Sequence, residues 1–150
     1  MPGRTFAIGD IHGDIDAVYK LLASFPELTT DDTLVFVGDY IDRGPSSKEV
    51  IDYVRRLPGE TPAKVVALRG NHEDAWLRVI DRGWPEFILP PSNGCLATLR
   101  SYTGTPQGDE PGMRNFLEKT LQPRVGQVFA AESAGLRSMR DRTSPPGATA

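Results

Sequence analysis

Leu34-Val35-Phe36-Val37-Gly38-Asp39-Tyr40-Ile41-Asp42-Arg43-Gly44 decides the reading of this 150-residue chain. Four apolar residues run into a turn that carries two carboxylates and an arginine between glycines. An apolar run without alternation is the pattern of a parallel strand covered on both faces. Open α/β sheets hold their ligand sites at the C-terminal ends of such strands. Glycine lets the backbone turn sharply there or approach a ligand closely. The same construction occurs twice more, in Ala7-Ile8-Gly9-Asp10-Ile11-His12-Gly13 and in Val66-Ala67-Leu68-Arg69-Gly70-Asn71-His72-Glu73. Each reads as an apolar strand, a glycine, then a residue compatible with a metal ion.

Outward from these turns the pattern alternates. Thr5 to Ile8, Thr33 to Val37 and Ala63 to Leu68 are predicted strands. Asp14 offers an N-cap to a helix with Ile15, Val18, Leu22 and Phe25 on one face, ended by Pro26. Ser46 and Glu49 fit a capping box for a second helix with Val50, Ile51, Val54 and Leu57 inward. A third helix starts near Asn71, with Ala75, Trp76, Val79 and Ile80 inward, and Gly83 and Pro85 close it. This succession predicts an α/β fold of βαβ units with a largely parallel sheet. Right-handed crossovers bring the three glycine turns to one edge. Further on, Leu96 to Tyr102 reads as a short helix, Phe116 to Leu121 as another, and Val125 to Ala131 as a strand. Residues 1–136 are expected to form one domain, and residues 137–150, with almost nothing to bury, a disordered tail.

The composition is that of an ordinary globular protein, 39% apolar and 25% charged. A net charge of −3 carries no basic footprint for nucleic acid. No apolar run reaches the length of a membrane span. The N-terminus does not read as a signal peptide. Cys95 is the only cysteine, which excludes an internal disulfide and fits a reducing cytoplasm.

Asp10 and His12, two apart on one turn, can point at one ion. Oxygen and nitrogen ligands without thiolates suit Mn, Fe or Zn better than Ca. Asp39 could bridge to a second ion, with Asn71 as a neutral oxygen ligand. Two ions about 3.5–4 Å apart would polarise a phosphoryl oxygen and activate water. A hydrogen bond from His72 to Asp42 would orient that ring for proton donation to a leaving oxygen. Arg43 suits bidentate binding of phosphate. Singly each residue has an ordinary reading: Asp10 or Asn71 as a helix cap, Asp39 and Asp42 as turn formers, Arg43 as a solvated charge. Jointly those readings require both histidines of the chain to fall by accident in matching strand-end turns.

Gly9-Asp10-Ile11-His12-Gly13, Gly38-Asp39-Tyr40-Ile41-Asp42-Arg43-Gly44 and Gly70-Asn71-His72-Glu73 resemble the three signature blocks of calcineurin-like metallophosphoesterases. More narrowly they resemble the PPP serine/threonine protein phosphatases and their bacterial lambda-phosphatase-like members. The resemblance implies a sandwich of β-sheets flanked by helices and two divalent metal ions. It assigns Asp10, His12 and Asp39 to the first ion, Asp39 and Asn71 to the second, and His72 to the general acid paired with Asp42. It places Arg43, with Asn71, on the substrate phosphate. The implied activity is hydrolysis of phosphate monoesters, with a phosphoprotein or other phosphate ester as substrate. The symmetrical dinucleoside tetraphosphatases share the fold. Asp42-Arg43-Gly44 and Glu73 favour the protein-phosphatase side over that alternative.

The family closes its second metal site with two later histidines, the first in a His-Ala-Gly turn. Here the corresponding stretch is Ser133-Ala134-Gly135, and no histidine follows His72. The second site is therefore expected to be weakened and the C-terminal strands missing. A truncated product, a reduced enzyme and a weakly active or inactive binding protein all fit. Self-association through the sheet left uncovered fits as well.

Overall fold

The structure, a computed structural model, describes residues 2–82 and 93–104. The expected helix at Phe116, the strand at Val125, the Ser133 turn and the 137–150 tail lie outside the described residues, as do Gly83 and Pro85.

Three short parallel strands form one sheet in the order β1-β2-β3: β1 (Thr5–Ile8), β2 (Thr33–Phe36) and β3 (Lys64–Ala67). Helix α1 (Ile15–Ala23) connects the first two strands. Helix α2 (Ser47–Arg56) and a single 3-10 turn at Leu57–Gly59 connect the second and third. Helix α3 (Asn71–Arg82) follows β3, and α4 (Cys95–Thr103) completes the described chain. The α/β class and the parallel sheet expected from the sequence are present. The described residues contain one sheet, not the face-to-face pair.

Register explains which side of the sheet is core. Phe6, Leu34 and Val65 are partners across the strands, as are Ile8, Phe36 and Ala67. These residues pack with Val18 of α1, Val50, Ile51 and Val54 of α2, Trp76 of α3 and Leu96 and Leu99 of α4. The opposite face carries Ala7, Val35 and Val66 in register, and beyond the strand ends Val37 and Leu68 are 43% and 38% exposed. The expectation that β2 is covered on both faces is met on one face by the described residues. Among the described residues the helices cover one face only, because their apolar stripes all join the Leu34–Phe36 side.

Caps match the sequence in part. Asp14 accepts the Ala17 N–H at 2.9 Å, as an N-cap should. Helix α1 ends at Ala23, before Pro26, with the Ser24 hydroxyl donating to the Leu21 carbonyl at 2.6 Å. Ser46 occupies the N-cap of α2 but its side chain makes no capping bond. Instead Ser101 of α4 accepts the Lys48 N–H at 2.8 Å and donates to Glu49 at 3.3 Å. The capping-box expectation fails because a neighbouring helix supplies the acceptor that the first turn of α2 lacks.

Before β2, buried Asp32 fastens the start of the sheet. It accepts the Arg4 backbone N–H at 2.8 Å and the Arg4 guanidinium at 3.0 and 2.6 Å. It also accepts the Thr29 N–H at 2.8 Å. The Arg4 guanidinium and these backbone donors hold the Asp32 carboxyl well below the usual carboxylate range. No helix among the described residues is long and apolar enough to cross a membrane.

Candidate active site

Parallel pairing puts the three glycine turns side by side at the C-terminal edge of the sheet. The first turn is tied to the second through backbone: Ile11 and His12 donate to the Asp39 carbonyl at 3.0 and 2.9 Å, and Gly13 to that of Tyr40 at 2.8 Å. Gly44 in turn donates to the His12 carbonyl at 2.9 Å. The second turn presses on the third. Gly38 has φ +117°, and a Cβ there would stand 2.6 Å from the Gly70 Cα, so only glycine fits.

Among the described residues, four other than glycine have left-handed backbone, namely His12 (φ 48°), Asp39 (53°), Asp42 (70°) and Arg43 (68°). All four are among the residues singled out from the sequence. Such conformations cost on the order of 1 kcal/mol each and persist only where surrounding contacts enforce them. Glu73 supplies much of that enforcement. Its Oε2 accepts the N–H of Asp39 and of Gly70, each at 2.9 Å. Its Oε1 accepts the N–H of Tyr40 at 2.8 Å and of Ile41 at 3.3 Å. Burial pushes the Glu73 carboxyl above the ordinary value, against the opposing pull of these backbone donors.

His12 is set for metal binding. Its Nδ1 lies 2.9 Å from the Ile41 carbonyl, which can only accept, so the ring proton sits on Nδ1. Nε2 is then a lone-pair atom, and it is buried without a hydrogen-bond partner. Asp10 Oδ2 lies 3.8 Å from that nitrogen. One ligand atom each from His12, Asp39 and His72 lie within 4.8 Å of one another, a grouping that could hold an ion. An orphaned imidazole nitrogen beside carboxylates fits a divalent metal with nitrogen and oxygen ligands.

The second centre is the pair His72 and Asp42. Both side chains are buried, and His72 Nδ1 lies 2.6 Å from Asp42 Oδ2. Trp76 Nε1 donates to Asp42 Oδ1 at 2.9 Å, and Thr98 Oγ1 donates to the same oxygen at 2.6 Å. The His12 and His72 rings meet edge to face with centroids 4.8 Å apart, so the two centres adjoin.

The remaining expected residues stand at the rim. Asn71 is the exposed first residue of α3. Asp10 is exposed beside His12. Arg43 is exposed, and its backbone N–H donates to the Gly94 carbonyl at 3.0 Å. Arg69 pairs with Asp74 at 3.4 Å. His72 was expected only as an acid, yet it stands within the metal-compatible group of histidines and carboxylates, which does not include Asp10.

Three contributors escaped the sequence reading. Glu73 reads locally as a first-turn acid of α3, and its four backbone partners are visible only in three dimensions. Trp76 reads as core, which it is, but its indole N–H is also a donor to Asp42. Thr98 is a buried polar residue between apolar Leu96 and Leu99, and that mismatch was the one available signal.

Residues 3–128 match the family model of calcineurin-like phosphoesterases. Two curated relatives are symmetrical bis(5'-nucleosyl)-tetraphosphatases, one from Yersinia pestis (strain Pestoides F) and one from Yersinia pseudotuberculosis serotype O:1b (strain IP 31758). Each is 41% identical over 90 residues, covering 58% of this chain and 30% of the relative. The chain thus spans under a third of the length of these relatives. A crystal structure provisionally assigned as a diadenosine tetraphosphatase superposes with a TM-score of 0.45 at 27% identity, over 79% of this chain and 45% of that one. The expected phosphoprotein substrate is overturned by these relatives, which are named for a nucleotide substrate. Of the stretch Asp42-Arg43-Gly44 and Glu73 that favoured a protein phosphatase, Asp42 and Glu73 are buried, on His72 and on backbone amides, and Arg43 is exposed.

Proposed function

The chain belongs to the calcineurin-like phosphoesterase family, and from that premise we propose that it is a metal-dependent phosphoesterase acting on dinucleoside polyphosphates. The observation that carries the reading is the adjacency of the partnerless His12 Nε2, the Asp39 carboxylate and the Asp42–His72 pair. The similarity to symmetrical bis(5'-nucleosyl)-tetraphosphatases supports the substrate class.

Asp10, His12 and Asp39 are the residues proposed to hold one divalent ion, and Asp39 with Asn71 a second, weaker one. When bound, such ions supply Lewis acidity at a phosphoryl oxygen and lower the pKa of water. Mn, Fe or Zn suits this nitrogen and oxygen set. The Ile41 carbonyl fixes the His12 ring so that Nε2, not Nδ1, is the ligand atom. Asp42 accepts the His72 Nδ1 proton, so in the imidazolium form of the ring the Nε2 proton is the one available to a leaving phosphate oxygen. Arg43, exposed on the rim, is proposed to bind the substrate phosphate, as is Asn71. A cytoplasmic location belongs to the same proposal, supported by the single buried cysteine, Cys95.

Purified protein with Mn²⁺, Fe²⁺ or Zn²⁺ tests this on diadenosine tetraphosphate and on p-nitrophenyl phosphate, with products separated by chromatography. Turnover of the dinucleotide, abolished in Asp39→Asn, is the expected result. Activity no greater than that of Asp39→Asn with every metal would refute the reading.

A further inference from the structure

Asp42 lies in the core at 0% exposure, and every polar atom of its backbone N–H and carboxylate has a partner. Thr98, 56 residues later on α4, contacts it twice. Thr98 Oγ1 accepts the Asp42 backbone N–H at 2.8 Å and donates to Asp42 Oδ1 at 2.6 Å. The Ser47 hydroxyl stands 3.1 Å from the same Thr98 oxygen and also receives the Asp42 N–H, at 3.2 Å.

Valence fixes the direction of this network. A hydroxyl has one proton to donate and two lone pairs to accept with. Thr98 directs its proton to Asp42 Oδ1, so it accepts from the Asp42 N–H and from the Ser47 O–H. With Trp76 also donating to Oδ1, that oxygen is held as an acceptor by two donors. Oδ2 then remains for His72, and an acceptor-only carboxylate leaves the shared proton to His72 Nδ1.

The double contact also fixes shape. The torsion about a carboxylate is broad and has no strong preference of its own. Asp42 sits at φ 70°, a conformation its own chain disfavours. One hydroxyl that grips both the N–H and Oδ1 of the same residue constrains both the backbone and the carboxylate plane.

We propose that Thr98 is a positioning residue for the proton donor His72, acting through its paired hydrogen bonds to the backbone and carboxylate of Asp42. It couples the register of α4, which carries none of the three glycine turns, to the orientation of the His72 ring. Ser47 and Trp76 complete the cage.

The inference rests on the phosphoesterase reading, and its test separates the two. The Nδ1 proton of His72 in a 2.6 Å bond gives a low-field proton resonance in the full-length protein, assigned by its absence in His72→Asn. Thr98→Val preserves shape and removes the hydroxyl. The expected result is an upfield shift or loss of that resonance in Thr98→Val and its return in Thr98→Ser, with circular dichroism unchanged. Absence of the resonance from the wild type, or an unchanged position in Thr98→Val, overturns the proposal whether or not any ester is hydrolysed. In turnover, Thr98→Val lowers kcat on phenyl phosphate by about tenfold, with KM unchanged. On p-nitrophenyl phosphate, whose leaving group needs less protonation, the loss is smaller. Equal losses on both esters also overturn the proposal. Thr98→Ala carries the same test if the valine variant does not fold. Failure of the wild type to hydrolyse any ester refutes the functional reading alone, because the resonance is read without substrate.

Discussion

The Asp39 N–H donates to Glu73 Oε2 at 2.9 Å, so the first turn of α3 holds the backbone of the residue that faces His12 and the N–H of His72. The same carboxylate takes the amides of Tyr40, Ile41 and Gly70. Two oxygens serve four donors, on a side chain that is buried. Glu73→Gln replaces one of those oxygens by an NH₂ that opposes two backbone N–H groups. Leaving those donors unsatisfied should cost roughly 2–4 kcal/mol of unfolding free energy. Urea denaturation of the variant measures this, and divalent metal affinity should fall with it because the Asp39 turn loosens. A variant as stable as the wild type would show that water or another acceptor replaces the lost oxygen.

Removal of the His12 imidazole acts on a different property. Nε2 is buried with no partner, so its loss deletes a ligand without breaking a bond of its own, while loss of Nδ1 takes the donor from the Ile41 carbonyl. His12→Ala should weaken Mn²⁺ binding by more than the roughly 10–100-fold typical of outer-shell changes. Calorimetric titration reads this directly and also gives the stoichiometry, for which one tight and one weak ion per chain is expected. Treatment with a chelator should remove hydrolytic activity, and added Mn²⁺ should restore it.

Gly94 supports the Arg43 turn from behind. It has φ +82°, and a Cβ there would stand 2.6 Å from both the Cα and the N of Arg43. Gly94→Ala therefore meets backbone strain and collides with backbone that cannot swing away. A loss of about 1–3 kcal/mol in stability is expected. Because the displaced residue is Arg43, a rise in KM for phosphate esters should accompany it, with a smaller change in kcat. A fall in kcat alone would argue against a phosphate contact by Arg43.

Asp32 predicts the acid limb of stability. Its carboxyl is held well below the usual range by Arg4 and by backbone donors. The unfolded chain therefore binds the proton more readily than the folded one as pH falls. The contribution is fully present above the ordinary carboxylate pKa and is lost on acidification toward the folded-state value. Melting temperatures between neutral pH and about pH 3 should decline in the wild type and decline less steeply in Asp32→Asn, which has no such proton to gain. Parallel declines in the two proteins would assign the acid sensitivity to other carboxylates.

Much of this was legible in the residues themselves. Apolar runs ending in Gly9, Gly38 and Gly70 marked three parallel strands, because a strand buried by crossovers needs no alternation and a sharp exit needs glycine. The spacing of Val50, Ile51 and Val54 marked a helix face. Asp10, His12, Asp39, Asp42 and His72 were recognisable as a group because their side-chain chemistry repeats at matching strand ends. Substrate class was not legible: of Asp42-Arg43-Gly44 and Glu73, which favoured a protein phosphatase, Asp42 and Glu73 are buried and serve the fold of the site.

What only the tertiary structure decided concerns direction and distance. Sequence places Asp39 and Glu73 34 positions apart and Asp42 and Thr98 56 positions apart. Nothing in local propensity states that these side chains meet. Parallel pairing of β2 with β3 brings Glu73 under the Asp39 turn, and packing of α4 on α2 brings Thr98 to Asp42. Those long-range contacts fix which oxygen of Asp42 faces His72 and which nitrogen of His12 is left for a ligand. A hydrogen bond depends on tenths of an ångström and on angle, and such geometry exists only once the chain has closed on itself.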